Sequence, residues 1–134
     1  MKKSSELREL IAEYFESFTV GDPEWVDRHV VNSPELLLIG TGPDEWLDGE
    51  HGLSVFRQEA TVATGTLDAE VSHIEAYSQG EVGWGAARVR FTIPTGQTAR
   101  TRFTAVFLLR DGVWKLVSAH NSVAVSDEDA FSTD

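Results

Sequence analysis

The 134-residue sequence contains no cysteine, which excludes structural disulfides, thiolate catalysis and cysteine-ligated zinc. It also lacks any apolar run that approaches the roughly 20 residues needed to span a bilayer. Basic side chains are scarce, 11 against 22 acidic ones, so the formal net charge is −11. Because this charge repels phosphate groups, we expect neither nucleic acid nor a membrane surface as a partner. The simplest interpretation of the acidic excess is solubility.

The remaining composition is that of an ordinary globular protein, with 41% hydrophobic and 25% charged residues. A chain of this length can bury a core as one domain. We expect a single domain over residues 1–125 and an acidic, frayed tail over 126–134, in which Phe131 could contact the surface. Residues 1–6 lead into a charged helix pattern rather than a signal-peptide apolar stretch, so a cytoplasmic location is expected.

The first half of the chain is dominated by helical patterns. Apolar residues recur at helical spacing over 5–19, which predicts an amphipathic helix with one buried face. The pair Asp22-Pro23 predicts a second, short helix, because aspartate is a preferred N-cap and proline fits the first helical position. We then expect a short strand at 36–39, a turn-rich loop at 40–44 and a third helix over 50–64.

The second half of the chain has the pattern of strands. Leu67, Ala69 and Val71 alternate with polar residues, and the phase then slips to Ile74 and Ala76. Such a slip within one strand indicates a β-bulge, which bends a sheet.

Three longer strands are predicted at 81–93, 98–110 and 113–125. Asp111-Gly112 between the last two is a strong signal for a two-residue hairpin. Helices that precede a continuous antiparallel sheet indicate an α+β fold.

The strand at 98–110 is apolar on both faces, with Phe103 and Phe107 on one side and Val106 and Leu108 on the other. A strand of this kind is covered on both faces. Since the helices can cover only one, we predict that a second subunit covers the other, giving a homodimer through the sheet.

Several segments together resemble a known family. Tyr14 lies seven residues before Gly21-Asp22, and the other matching segments are 39–49, 101–107, 111–117 and 120–122. On these segments the chain resembles the nuclear transport factor 2-like superfamily, in particular its SnoaL-like and ketosteroid isomerase-like members, along nearly its whole length.

The resemblance implies a cone-shaped, cystatin-like fold, in which three N-terminal helices pack on a curved antiparallel sheet and enclose a pocket. The superfamily includes isomerases, dehydratases, epoxide hydrolases, polyketide cyclases and non-catalytic association domains. The fold therefore does not give the function, which must be argued from the site.

Tyr14 matches the phenol that hydrogen-bonds the developing enolate oxygen in ketosteroid isomerase. The alternative is that Tyr14 is only a core residue. The general-base aspartate of the isomerase would fall near Gly40 and its second acid near Thr104 or Ala105, and neither position holds a carboxylate. Because isomerisation needs a positioned proton acceptor, that activity is not expected here.

Other side chains offer weaker possibilities for a base. Glu45 lies beside Trp46 and would gain a raised pKa if it were buried against the indole, although an exposed acidic loop is the alternative. His120 is a second possible base, but it alternates with Asn121 and cannot share its face in a regular strand. The histidines show no metal-ligand spacing, so we predict neither a metal site nor a cofactor.

Arg88 and Asn121 match pocket positions in the superfamily. In the kinase association domain, an arginine at the position of Arg88 points into the pocket and meets carboxylate ligands. Simple alternation instead gives an apolar face that contains Ala87 and Val89 and leaves Arg88 on the opposite face. The sequence leaves both orientations open.

These observations favour a pocket protein that binds a small organic ligand, partly apolar and bearing a carbonyl or carboxylate. One alternative is an isomerase, dehydratase or cyclase that uses Tyr14 as polariser and Glu45 or His120 as base. Another is a non-catalytic association domain. The predicted pocket residues are Tyr14, Phe18, Trp46, Phe56, Trp84, Arg88 and Asn121.

Overall fold

The computed structural model describes residues 1–62 and 67–131. Within them, helices pack against one face of a seven-stranded sheet. The strands are β1 Lys2–Lys3, β2 Leu37–Ile39, β3 Trp46–Asp48, β4 Asp68–Gln79, β5 Val82–Thr92, β6 Thr98–Arg110 and β7 Val113–Val123. The helices are α1 Ser5–Glu16, α2 Pro23–His29, α3 Gly49–Val62 and α4 Asp127–Ala130, and a π-helical turn, Ser17–Gly21, follows α1.

The strand order in the sheet is β1-β4-β5-β6-β7-β2-β3. The four long strands form the predicted antiparallel meander, whereas β2 pairs with β7 in parallel. The predicted bulge in β4 is confirmed, because the register shifts between Ser72 and Glu75 and His73 has a φ of 54°. Such irregularities bend the sheet so that one face can wrap around the helices.

The helix cap and the hairpin turn that the sequence predicts are both present in the structure. The Asp22 carboxylate accepts a hydrogen bond from the Trp25 backbone N–H at 3.2 Å, and Pro23 opens α2. Asp111 and Gly112 have φ values of 52° and 77°, as a two-residue hairpin turn with two left-handed residues requires. Helix α3 ends at Val62, and the remaining predicted helical residues lie outside the described part.

The loop before α3 is more ordered than the sequence indicates. Residues 46–48, between the predicted loop at 40–44 and α3, form β3, which pairs with β2 through Leu38 and Leu47. The backbone N–H of Gly40 donates to the carbonyl oxygen of Glu45 at 2.9 Å and closes this small hairpin. The hairpin extends the sheet beyond β7, beside α3.

The hydrophobic core lies between the helices and the inner face of the sheet. Helix α1 contributes Leu7, Ile11 and Phe15, and β6 contributes Phe103 and Phe107, all at 1% exposure or less. The outer face of the sheet has no helix against it within the described residues. That face is the one for which a covering subunit is predicted.

The end of the chain contains a short helical turn where a frayed tail is predicted. The Ser126 hydroxyl caps α4 by accepting a hydrogen bond from the backbone N–H of Asp129 at 3.2 Å. Phe131 is 81% exposed and does not pack on the domain. No helix among the described residues is both long enough and apolar enough to cross a bilayer.

Candidate functional site

A cavity of about 480 Å³ lies between the helices and the inner face of the sheet. Its wall is mostly apolar, with a few polar groups, as is typical of small-molecule sites. We define its mouth by two exposed lining residues, Glu45 and Glu59. The lining residues are Tyr14, Phe18, Leu38, Ile39, Gly40, Thr41, Glu45, Leu47, Val55, Phe56, Glu59, Val62, Leu67, Phe91, Ala99, Thr101, Ala119, Asn121 and Val123.

Tyr14 is held rigidly in the cavity wall by other aromatic rings. Its ring centroid lies 4.8 Å from that of Phe103 and 5.2 Å from that of Phe56. Burial, followed by the negative charges of Glu59 and Glu45, raises the pKa of the Tyr14 phenol well above its usual range. At physiological pH the hydroxyl is therefore protonated, and it can act as a hydrogen-bond donor.

Two polar atoms in the sheet wall have no hydrogen-bond partner within residues 1–62 and 67–131. Thr101 on β6 is 4% exposed. Asn121 on β7 lies opposite Phe103 in the sheet, and Phe103 follows Thr101 by two residues on β6. The Thr101 Oγ1 and Asn121 Oδ1 atoms are buried without a hydrogen bond from any described residue. Leaving such an atom unsatisfied costs about 1–3 kcal/mol. Both residues line the cavity, and because the two oxygen atoms are themselves buried, a rotation of either side chain would let a bound molecule supply the missing bond.

Glu45 is fixed at the mouth by a glycine-containing loop. The backbone N–H of Gly42 donates to its Oε1 at 3.0 Å. A Cβ atom at Gly40 or Gly42 would overlap the same carboxylate, so a larger residue at either position would displace the Glu45 side chain from this place.

Glu59 is the second carboxylate at the mouth, one helical turn beyond Phe56 on α3. Partial desolvation, and then the charge of Glu45, raise the pKa of Glu59. None of the described lining residues is lysine, arginine or histidine. The mouth is therefore acidic without a compensating cation in the wall.

The prediction that Arg88 lies in the pocket is wrong. In β5 the neighbours Ala87 and Val89 are buried, while Arg88 is exposed on the outer face, opposite Arg102 of β6. The bulge that could have turned it inward lies in β4, and β5 keeps an unbroken alternation. Trp84 lies on the same outer face at 38% exposure and does not line the cavity either.

Two further predicted residues lie away from the cavity. Trp46 is 64% exposed and is absent from the wall. His120 is exposed on the outer face opposite Thr104, so it cannot serve as a base for a ligand in the cavity. The structure brings together the remaining predicted residues, which are Tyr14, Phe18, Glu45, Phe56 and Asn121.

The sequence interpretation missed Glu59 and Thr101, although both had a recognisable signal. Glu59 continues the helical stripe of Val55 and Phe56 at a spacing of three to four residues. Thr101 is a polar residue in the inward-facing series that continues with Phe103. Among the described residues, no group of three or more acidic or histidine side chains could hold a metal ion.

The comparison with protein families decides the classification. The model of the SnoaL-like domain matches residues 7–126. The chain belongs to the SnoaL-like domain family. No curated protein shows significant sequence similarity to this SnoaL-like chain.

Solved structures agree with the SnoaL-like assignment at the level of the fold. An NTF2-like protein of unknown function from Pseudomonas putida KT2440 is 15% identical, with 96% of this chain and 92% of that chain covered and a TM-score of 0.76. A candidate dehydratase of the NTF2-like family from Streptomyces avermitilis is 15% identical, with 90% and 95% covered and a TM-score of 0.74. The association domain of C. elegans CaMKII is 13% identical, with 88% and 93% covered and a TM-score of 0.70.

These similarities confirm the predicted superfamily and the α+β, NTF2-like, cystatin-like fold. At such low identity the solved structures show the fold alone.

Proposed function

We propose that this SnoaL-like protein binds a small organic molecule in the cavity, with an apolar body and a neutral hydroxyl or carbonyl group. The observation that carries the proposal is that two polar atoms in a mostly apolar wall, Thr101 Oγ1 and Asn121 Oδ1, have no hydrogen-bond partner among the described residues. An unfilled site of this kind costs stability in the free protein and is retained where it serves binding.

The chemistry of the wall selects the polar group of the ligand. The phenol of Tyr14 donates a hydrogen bond, Asn121 Oδ1 accepts one, and Thr101 Oγ1 can do either. A ligand hydroxyl can therefore accept from Tyr14 and donate to Asn121, and a carbonyl can accept from Tyr14. A carboxylate ligand, allowed by the sequence interpretation, is disfavoured because Glu45 and Glu59 would repel it and Arg88 lies on the other face.

A second candidate function is acid–base catalysis on the same ligand. It is favoured by the presence of Tyr14 beside two carboxylates in one cavity, an arrangement that supplies a hydrogen-bond donor for a developing oxyanion and a proton acceptor. Glu45 or Glu59 would take the base role, since His120 is excluded by its position.

A thermal-shift and calorimetric screen of neutral aryl and alkyl alcohols and ketones tests the binding proposal. We expect saturable binding of at least one compound, weakened about tenfold by Asn121→Leu through the loss of one hydrogen bond. Ser122→Ala, at the neighbouring position on the opposite face, is the matched control and should leave the affinity unchanged. Mass spectrometry of the ketone mixtures in D₂O separates binding from proton abstraction, because only an enzyme accelerates exchange beside the carbonyl.

The binding proposal fails if no neutral compound saturates, or if Asn121→Leu binds every hit as well as the wild type does. Deuterium exchange that is no faster with the protein than without it would leave binding as the function and remove catalysis.

We also propose that the outer face of the sheet is a homodimer interface. Trp84 and Val106 are each 38% exposed on the central strands β5 and β6, and Tyr77 stacks on Trp84 with ring centroids 5.3 Å apart. A patch at the centre of the sheet can meet its own copy across a two-fold axis, the commonest arrangement in oligomers. Exposed aromatic and branched residues at such a patch are typical of interaction sites.

Val106→Arg should disrupt this dimer, because it places a charge in the centre of the apolar patch. We expect light scattering at micromolar concentration to give twice the 14.8 kDa chain mass for the wild type and the single-chain mass for the variant. Thr98→Arg, at the exposed far end of β6, adds the same charge away from the patch and should remain dimeric. A strictly monomeric wild type would contradict the proposal.

A further inference from the structure

We propose that the ligand of this cavity carries a protonated amine, which binds between Glu45 and Glu59 at the mouth while the apolar body lies against the aromatic wall. This inference rests on the proposed binding function and adds the charge class of the ligand to it. It requires two carboxylates at the mouth, a wall without cations, and a buried group that still needs a hydrogen-bond donor.

The Glu45 carboxylate is held in place before any ligand arrives. Its Oε1 accepts a hydrogen bond from the backbone N–H of Gly42 at 3.0 Å, and its Oε2 lies against Gly40. A carboxylate held by its own loop loses little conformational entropy when it binds a cation. Glu45 is exposed at the mouth, where its side chain can meet a cation.

Glu59 faces the same mouth from helix α3, and the two negative charges are not neutralised locally. Arg57, the nearest arginine along α3, is bridged to Asp27 of α2 at 2.9 Å. Arg57 and Asp27 are both absent from the cavity wall. Two carboxylates that face one small volume disfavour each other's ionised state, and an ammonium group between them removes that cost.

The interior of the cavity provides an independent indication of a donor-bearing ligand. Asn121 Oδ1 can only accept a hydrogen bond, and it is buried without one among the described residues. Thr101, 4% exposed and likewise unpaired, lies on the same wall. A ligand that carries a hydroxyl at one end and an amine at the other would satisfy the interior and the mouth together.

The aromatic wall is compatible with a cation near its outer end. Tyr14, Phe18, Phe56 and Phe91 line the cavity, and the ring centroid of Phe18 lies 5.5 Å from that of Tyr14. The face of such rings attracts an ammonium group. A metal ion is a poorer occupant, since the described residues offer no third acidic or histidine ligand.

Three probes with one apolar body test the inference: 4-phenylbutylamine, 4-phenylbutanol and 4-phenylbutanoate. In calorimetric titrations near neutral pH and at low salt, we expect the amine to bind about tenfold or more tighter than the alcohol, and the acid to bind most weakly. The Glu45→Gln/Glu59→Gln double variant should lose the tenfold advantage of the amine over the alcohol. Glu50→Gln, an exposed charge on α3 outside the cavity, should keep that advantage.

The possible outcomes separate this inference from the proposed function. An amine that binds no tighter than the alcohol would overturn the inference, while alcohol binding would still support the pocket. An equal loss of amine affinity in Glu50→Gln would assign the effect to the net charge of the protein and also overturn it. If none of the three probes binds, the inference fails, and the screen of neutral compounds decides separately on the binding function.

Discussion

Phe103→Ala is expected to lower the free energy of unfolding by about 3–5 kcal/mol, the largest change we predict for a single substitution. Phe103 is 1% exposed, and its ring centroid lies 4.8 Å from that of Tyr14 and 4.9 Å from that of Phe15. Removing the ring leaves a void beneath the cavity wall that rigid neighbouring aromatic residues cannot fill. Chemical denaturation, with the midpoint and the slope both fitted, measures the loss.

Thr104→Ala is the matched control for this prediction. Thr104 is the next residue on β6, exposed on the outer face of the sheet. Its replacement should change the free energy of unfolding by less than about 0.5 kcal/mol, as is usual for a surface site. Similar losses for both variants would contradict the assignment of the two faces of β6.

Tyr14→Phe is expected to separate binding from stability. Phenylalanine keeps the ring that packs against Phe56 and Phe103, so the substitution should leave the free energy of unfolding within about 1 kcal/mol of the wild-type value. The same change removes the hydrogen-bond donor for a ligand oxygen and should weaken binding of the neutral hits about tenfold. Thermal melts and calorimetric titrations of the same samples measure both effects.

Tyr77→Phe provides the control for the loss of a phenol. Tyr77 stacks on Trp84 at the outer face, far from the cavity wall. Its substitution should leave ligand affinity unchanged. If Tyr14→Phe also binds every hit with wild-type affinity, the phenol is only a core group and has no part in recognition.

The sequence predicts the fold well where the signals are local. The capping pair Asp22-Pro23, the phase slip after Val71 and the Asp111-Gly112 turn each specify a backbone geometry by themselves, and each occurs where it is predicted. The strand β2 was predicted at 36–39, but β3 and its pairing with β2 were missed because β3 has only three residues. Pairing of such short strands depends on tertiary neighbours.

The site is less predictable because it depends on which face of each strand turns inward. Family resemblance suggested that Arg88 enters the pocket, whereas simple alternation placed it outside, and alternation was correct. Asn121 was predicted as a pocket residue and Thr101 belongs to the inward-facing series of β6, but their lack of partners among the described residues becomes visible only in the coordinates. Glu59 acquires its significance from Glu45, which lies fourteen residues earlier in the chain but lines the same cavity.

The central claim, that the inner cavity is a ligand site, is tested most directly by NMR titration with the tightest neutral compound from the screen. The Thr101 methyl group and the Asn121 side-chain amide report on the inner face, and the Thr104 methyl group reports on the outer face of the same strands. We predict saturable shifts of the Thr101 and Asn121 signals with the Thr104 signal unchanged. Saturable shifts confined to the Thr104 side, with Thr101 and Asn121 unmoved, would contradict the account.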